Sequence, residues 1–520
     1  MTAIGYTSGD PRKVDIAGDT LTGDLVLAGD PDQPLEAATK RYVDNVVSAA
    51  SGTYVDASGD TMTGSLTLSG SAGLSVAGAS TFTSRVLGPT GHAYGTIAPS
   101  RTHPLWRTPS VSHQFQTGHG WTANGAASSN LNNTSVFVRG TQSASITTDT
   151  VQGSANLQKF AMSSMDLTDK MIRLICRIDD VSKVGSLNFF VGTSSLANNF
   201  KWRLWEIGGS SQLGSNGEWI TLTFGWSSLN SASGSYSISS TGVPSTTSGF
   251  TDFRVQAIGT SGNAYTLDVQ AVEVIDSTSA TFANGVVSIV FDDGNQSVYD
   301  YAKPAMDTYN FPGTNYIIVD NLGSSGIITS SELRVMQDMC GWEIGLHAYS
   351  LTVHNNRYTS YAAAQVDDDI RNGKMWLVGN GFRGESIAYP GGEYQTTTDG
   401  VGVDSIAARY FNTGRTILFQ TGFPTETFPA GMPMRMRAVS SISSTQTGAN
   451  NPTTLISAGG LLDKCQLNGG WLILVFHKLV TGTATVSTDC SQSDFQAIMA
   501  AINSRGIPVV PVSDVYRHFS

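Results

Sequence analysis

The stretch Val286-Val287-Ser288-Ile289-Val290-Phe291-Asp292-Asp293-Gly294 joins a β-branched apolar run to two adjacent carboxylates and a glycine. Such a run reads as a buried strand. Adjacent side chains at a strand end diverge, so the two acids can take separate work, one binding a metal and the other accepting a proton. Two further runs end in a similar way. Trp342-Glu343-Ile344-Gly345-Leu346 leads into His347, and Trp471-Leu472-Ile473-Leu474-Val475-Phe476 leads into His477. Polar residues at the C-terminal ends of several strands mark a barrel-type active site.

Outward from that stretch, strands are expected at 286–291, 315–319, 343–346, 386–389, 408–411, 471–476 and 508–511, with helical segments near 330–340, 360–379 and 491–504. Alternation of strand and helix over residues 283–520 implies parallel strands in a closed or nearly closed (β/α) barrel. Asp292 and Asp293 follow the first strand, His347 follows the third with His354 in the loop beyond it, and His477 ends the sixth. An Asp, His and His set drawn from these suits zinc or a similar divalent ion with a position left open for water. The carboxylate left free of the ion and a separate histidine then supply a base and an acid, which together suit hydrolysis of an ester or amide.

Residues 100–278 have a different rhythm. Alternating runs such as Met171–Arg177, Leu187–Val191, Trp219–Phe224, Phe253–Ala257 and Tyr265–Val274 are separated by Gly, Ser and Asn turns. They predict a central antiparallel β-sandwich. Trp202, Trp205, Trp219 and Trp226 lie close together in sequence. They either stack on sugar rings as a carbohydrate-binding module or fill the sandwich core.

The N-terminal 90 residues carry an internal repeat. Ala17-Gly18-Asp19-Thr20-Leu21-Thr22-Gly23-Asp24-Leu25 recurs 41 residues later as Ser58-Gly59-Asp60-Thr61-Met62-Thr63-Gly64-Ser65-Leu66. Such a unit exposes too much apolar edge to stand alone and suits several chains wrapped together. Between the copies, Leu35, Ala38, Tyr42, Val46 and Ala49 form one apolar helical stripe behind Pro34.

Composition narrows the function. A chain of 520 residues exceeds a single core. The net charge of −11 argues against nucleic acid as a partner. Cys176, Cys340, Cys465 and Cys490 are scattered, without metal-type spacing and without the look of a disulfide framework. No run is long enough for a membrane span, and no basic-then-apolar leader opens the chain. The expectation is synthesis in a cytoplasm without export by the general secretion route, and no membrane insertion.

Two resemblances sharpen this reading. The Gly-Asp-Thr-Met-Thr-Gly repeats, with Ala37-Ala38-Thr39-Lys40-Arg41-Tyr42-Val43-Asp44 between them, resemble the N-terminal repeats of bacteriophage tail fibre and tailspike proteins over about residues 15–85. That resemblance implies fibrous N-terminal repeats in residues 1–90, a homotrimer, attachment to phage tail or baseplate proteins, and a place in the virion. Such proteins are made in the host cytoplasm and act outside the host cell. Residues 286–520 resemble the polysaccharide deacetylases, the NodB-homology domain of carbohydrate esterase family 4. Phe291-Asp292-Asp293-Gly294, Glu343-Ile344-Gly345-Leu346-His347, Ala388-Tyr389-Pro390-Gly391-Gly392 and Leu474-Val475-Phe476-His477 match its motifs in order.

That second resemblance implies roles. Asp292 would be the general base and His477 the general acid. Asp293, His347 and His354 would hold the metal, most simply Zn2+. Tyr389, Pro390 and Gly391 would line the substrate groove, with the Gly391 amide toward the oxyanion. The substrate would be an acetylated bacterial surface polysaccharide, O- or N-linked.

The chain departs from the family twice. The family's second ligand histidine usually follows the first by four residues, but here Leu351 stands there and His354 is seven away. On a straight helix seven residues rise about 10.5 Å, so His354 can join only if residues 348–353 bend. Ala388 stands where the family often has arginine; Arg415 either replaces it beside Asp292, among the substrate-side residues, or is a surface salt-bridge residue. The rival function is a non-catalytic receptor-binding fibre that keeps the deacetylase fold only as a lectin.

Overall fold

Every predicted barrel strand that ends in a candidate residue is present, and the reason lies in its side chains. In the computed structural model the chain is described at residues 108–519, apart from 152, 207–213, 278–281 and 418–424, with two short strands at 86–87 and 93–94. The repeats, the 35–50 stripe and the expected fibrous part therefore lie outside the described residues. Val286–Phe291 and Trp471–Phe476 are buried along their whole length and pair in parallel, Val286 opposite Trp471 and Phe291 opposite Phe476. Burial on both faces is what a parallel strand between helices and a barrel interior requires.

The parallel sheet runs Thr413–Arg415, Ser386–Ala388, Glu343–Ala348, Thr314–Ile318, Val286–Phe291, Trp471–Phe476. The ring is completed by a segment with no strand signal. Met436 bridges Arg415 and Val439 bridges Leu474, both in parallel sense. Helices Ser330–Cys340, Ala363–Gly379 and Gln492–Ser504 flank the strands. The first is fixed at its start by a capping box between Thr329 and Glu332.

Two expected strands are corrected. Residues 408–411 are not a strand. Val403, Ile406, Ala407 and Tyr410 are buried at helical spacing, helix Val403–Ala407 continues into a turn, and the strand begins at Thr413. Residues 508–511 make only an isolated bridge, Val509 to Val287. Pro508 and Pro511 flank that bridge and have no N–H to give to a ladder.

Ahead of the barrel, two antiparallel sheets face each other. One runs Ser231–Ser233, Asn198–Glu206, Val184–Thr193, Asp252–Gly259, Ser154–Lys159, Thr122–Asn124. The other runs Trp219–Phe224, Lys170–Ile178, Thr266–Asp276, Ser143–Thr147, Ser128–Asn133, with Val111–His113 also on Thr266–Asp276. The stripe Phe253, Val255, Ala257 against Phe189, Val191 and Leu222 is fully or almost fully buried. The tryptophans do not form an exposed sugar platform. Trp202, Trp205 and Trp226 are buried, and the indoles of Trp202 and Trp226 donate to the carbonyls of Gly225 and Leu167. Trp219 is only half-buried, but it stands without the others on the surface.

Sandwich and barrel meet in a polar seam. The hydroxyl of Thr223 bonds that of Thr427 at 2.6 Å, Ser228 bonds Thr425 at 2.6 Å, and Arg437 donates to the Thr223 carbonyl at 3.1 Å. Among the described residues no helix is long and apolar enough to cross a membrane.

Candidate active site and metal centre

The side-chain alternation of the strands aims four ionisable groups at one mouth. Asp292 and His477 each follow the last residue of neighbouring paired strands, with the Asp292 N–H donating to the Phe476 carbonyl at 3.0 Å. His347 lies near the end of Glu343–Ala348, and Arg415 ends Thr413–Arg415.

Arg415 is fully buried, and one of its terminal nitrogens lies 2.6 Å from both carboxylate oxygens of Asp292. Its guanidinium also stacks 5.4 Å above the Tyr316 ring. Burial alone would raise the Asp292 carboxyl, but Arg415, with His347 and His477, outweighs burial and holds it below the ordinary carboxylate value. His477 Nε2 is 3.8 Å from Asp292 Oδ2, and its Nδ1 is buried with no hydrogen-bond partner among the described residues.

Asp293 diverges from Asp292, as adjacent residues must. Its backbone is left-handed at φ 72°, and Gly294 follows at φ 70°. An aspartate tolerates that region better than most residues, at a cost, and the turn carries its carboxylate to the histidines. Asp293 Oδ1 lies 3.6 Å from His347 Nε2 and 3.4 Å from His354 Nε2. Asp293, His347 and His354 each offer one ligand atom, and the three atoms lie within 4.8 Å of one another.

The seven-residue spacing is bridged by a bend, not a straight helix. The chain leaves the strand at Ala348, turns at Tyr349 and Ser350, and enters the short helix Leu351–Asn356, which brings the two imidazole centroids to 4.6 Å. Two carboxylates outside the sequence prediction hold that bend. Asp369 accepts the N–H groups of Tyr349 at 3.0 Å and Ser350 at 2.9 Å and the Tyr358 hydroxyl at 2.9 Å, and Asp320 accepts the Leu351 N–H at 2.7 Å.

The donor set fits a divalent ion. His347 Nδ1 faces the Ala388 carbonyl at 2.8 Å. A carbonyl only accepts, so Nδ1 carries the proton and the Nε2 lone pair faces Asp293. Burial pushes His347 down to about 4, which keeps it neutral as a ligand must be. His354 is opposed by burial, but its bonds to Asp293 and Asn355 raise it, and Asp293 is held ionised in turn. One carboxylate and two imidazoles with an open side suit an ion of the zinc type.

The substrate-side residues divide differently from the expectation. Tyr389 is fully buried, with its hydroxyl donating to the Met434 carbonyl at 2.9 Å, and Pro390 is buried as well. Their side chains support the loop and do not line a groove. Gly391 alone is exposed, at φ 63°. Arg357, which carried no signal in the sequence, lies over it: a Cβ at position 391 would come within 2.8 Å of Arg357 Nε. Arg357 holds φ 65°, ψ 151°, a region almost confined to glycine, and pairs with Glu393.

Residues 279–404 match the family model described as Polysaccharide deacetylase. The poly-beta-1,6-N-acetyl-D-glucosamine N-deacetylase of Staphylococcus epidermidis is 26% identical over 121 residues, covering 21% of this chain and 42% of that protein. Its namesake from Staphylococcus aureus is 28% identical over 123 residues, with the same coverage. The chain thus spans less than half the length of the curated relatives it matches. The solved Streptococcus pyogenes deacetylase PplD in complex with acetate is similar at 23% identity and a TM-score of 0.25, over 29% of this chain and 62% of that one. The chain carries a polysaccharide deacetylase domain. The matched span holds Asp292, Asp293, His347, His354 and Gly391, while Arg415 and His477 lie beyond it.

Proposed function

We propose that the barrel is a metal-dependent deacetylase acting on an acetylated bacterial surface polysaccharide, with a β-1,6-linked N-acetylglucosamine polymer as the first substrate to test. The observation that supports it is the convergence, at one strand-end mouth, of an Arg415-held Asp292 and His477 beside the Asp293, His347 and His354 donor set. A divalent ion on that set would polarise the acetyl carbonyl and acidify water. Asp292, kept ionised by Arg415, takes the proton of the attacking water. His477, on the neighbouring strand end, gives a proton to the sugar nitrogen or oxygen as its bond to the acetyl carbon breaks. The exposed Gly391 N–H is the donor available to the oxyanion. Acetate and a free amine or hydroxyl are the products. A lectin has no need of an ionised acid gripped by a buried arginine beside two imidazoles.

Acetate release from acetylated polysaccharides tests this reading. The wild type should release acetate and lose that activity to a chelator. Asp292→Asn should retain the ion yet fall about 10²–10⁴-fold in kcat. Full activity in that variant on a glycan would refute the assignment.

The repeats of residues 1–90 support a second part of the proposal. The chain is a homotrimeric tail fibre or tailspike in a phage virion, bound to tail or baseplate proteins at its N-terminus, whose barrel modifies the host's coat during adsorption. Light scattering on the full chain should report three copies; a monomer at micromolar concentration would remove this part and leave the enzyme reading intact.

A further inference from the structure

The turn that carries the Gly391 amide has two successive left-handed residues, Gly391 at φ 63° and Gly392 at φ 72°. Glycine takes that shape without strain but resists little, because its backbone has the widest freedom. Gly392 has no room for a side chain, since a Cβ there would run into Ile417. The turn is therefore set from outside, by the Arg357 side chain that lies over Gly391.

Arg357 belongs to a segment that is already fixed. It follows helix Leu351–Asn356, and its N–H donates to the His354 carbonyl at 3.2 Å. Asp320 and Asp369 anchor that segment at Leu351, Ser350 and Tyr358. Glu393 joins the two parts. One of its carboxylate oxygens pairs with Arg357 Nη1, and the other accepts the Thr359 hydroxyl at 2.6 Å. Glu393 stands two residues beyond Gly391, and Arg357 three beyond His354. The carboxylate thus grips the histidine segment at two points, one on each side of Tyr358. The Arg357 side chain is 52% exposed and that of Glu393 18%. A pair so open to water contributes little to stability; what it contributes is alignment.

We propose that Glu393 is a positioning residue: through Arg357 it holds the Gly391 turn against the His354 segment, and so keeps the Gly391 amide aimed where the oxyanion forms, an inference that rests on the deacetylase reading. A donor preset toward a developing oxyanion acts on the transition state and not on the bound substrate. Loss of Glu393 accordingly appears in kcat and leaves KM and metal binding unchanged. The metal ligands do not depend on it, because Asp320 and Asp369 hold their bend without Glu393.

Three measurements on the full chain test it: acetate-release kinetics, Zn2+ affinity by chelator competition, and hydrogen–deuterium exchange. Glu393→Ala should lower kcat about 10–100-fold, with KM and Zn2+ affinity within about twofold of wild type. Exchange should quicken in a peptide covering 389–395 and stay unchanged in one covering 349–356. Arg357→Ala should behave alike, and the double variant should be no slower than the slower single, because the two side chains act as one unit. Wild-type kcat in Glu393→Ala overturns the proposal, and so does a double variant in which the two losses multiply. A tenfold loss of Zn2+ affinity in Glu393→Ala also overturns it, since the residue would then serve the metal. If the wild type releases no acetate, the deacetylase reading fails by itself and exchange decides the rest: quicker exchange at 389–395 keeps the hold on the turn, and unchanged exchange removes it.

Discussion

Arg357 shows most clearly how a single residue separates stability from chemistry. Its backbone occupies a region that costs roughly 1–3 kcal/mol for any residue but glycine, and its partner Glu393 gives back little because Arg357 is about half exposed. Arg357→Gly should therefore stabilise the fold, by about 1 kcal/mol. The same change uncovers Gly391 and should lower kcat/KM. Denaturant titration beside glycan kinetics checks both, and a variant that is neither more stable nor slower would show the strain to have no use. Nothing in the sequence marks an arginine for that conformation, whereas Asp292, Asp293, His347 and His477 were legible because each ends a buried apolar run.

The elements around the donor set explain what the sequence left obscure. Asp367-Asp368-Asp369 on helix Ala363–Gly379 looks like a solvated face, yet Asp369 is buried and holds the bend that lets His354 approach His347. Burial raises its carboxyl, against the bonds from Tyr349 and Ser350. Loss of such an outer partner typically weakens a metal site 10–100-fold. Asp369→Ala should do so here, as measured by competition with a chelator, while His477 stays in place.

In the sandwich, burial, with Lys159 and His119 nearby, pushes His113 on strand Val111–His113 down to about 4 from an ordinary 6.5. Between those values the unfolded chain binds the proton and the folded one does not, so stability falls as pH drops from about 6.5 toward 4. The urea midpoint should be lower at pH 5 than at pH 7. His113→Gln should narrow that gap; comparison of variant with parent removes the contributions of His347, pushed down like His113, and of His354, raised, since both titrate in variant and parent alike.

On the scale of the whole molecule, the two antiparallel sheets and the parallel barrel were legible from their different hydrophobic periods. The closure of the barrel was not. Met436-Arg437-Ala438-Val439 has no apolar run, and its pairing amounts to two isolated bridges. Arg437 in this segment is buried, pairs with buried Glu426, and donates to the Thr223 carbonyl of the sandwich. Arg437→Ala strands a buried carboxylate and should cost about 3–5 kcal/mol. Because the residue serves both halves, calorimetry should show them lose stability together in one transition; an unmoved sandwich transition would mean the seam is passive.

The strip that closes the barrel is also the strip that clamps the sandwich, through Arg435 and Arg437. The catalytic part is consequently no interchangeable cartridge. Anyone transplanting it onto another carrier protein must cut ahead of residue 108 and move both bodies as one, since a graft beginning at 283 would leave the barrel's closing strip without its backing.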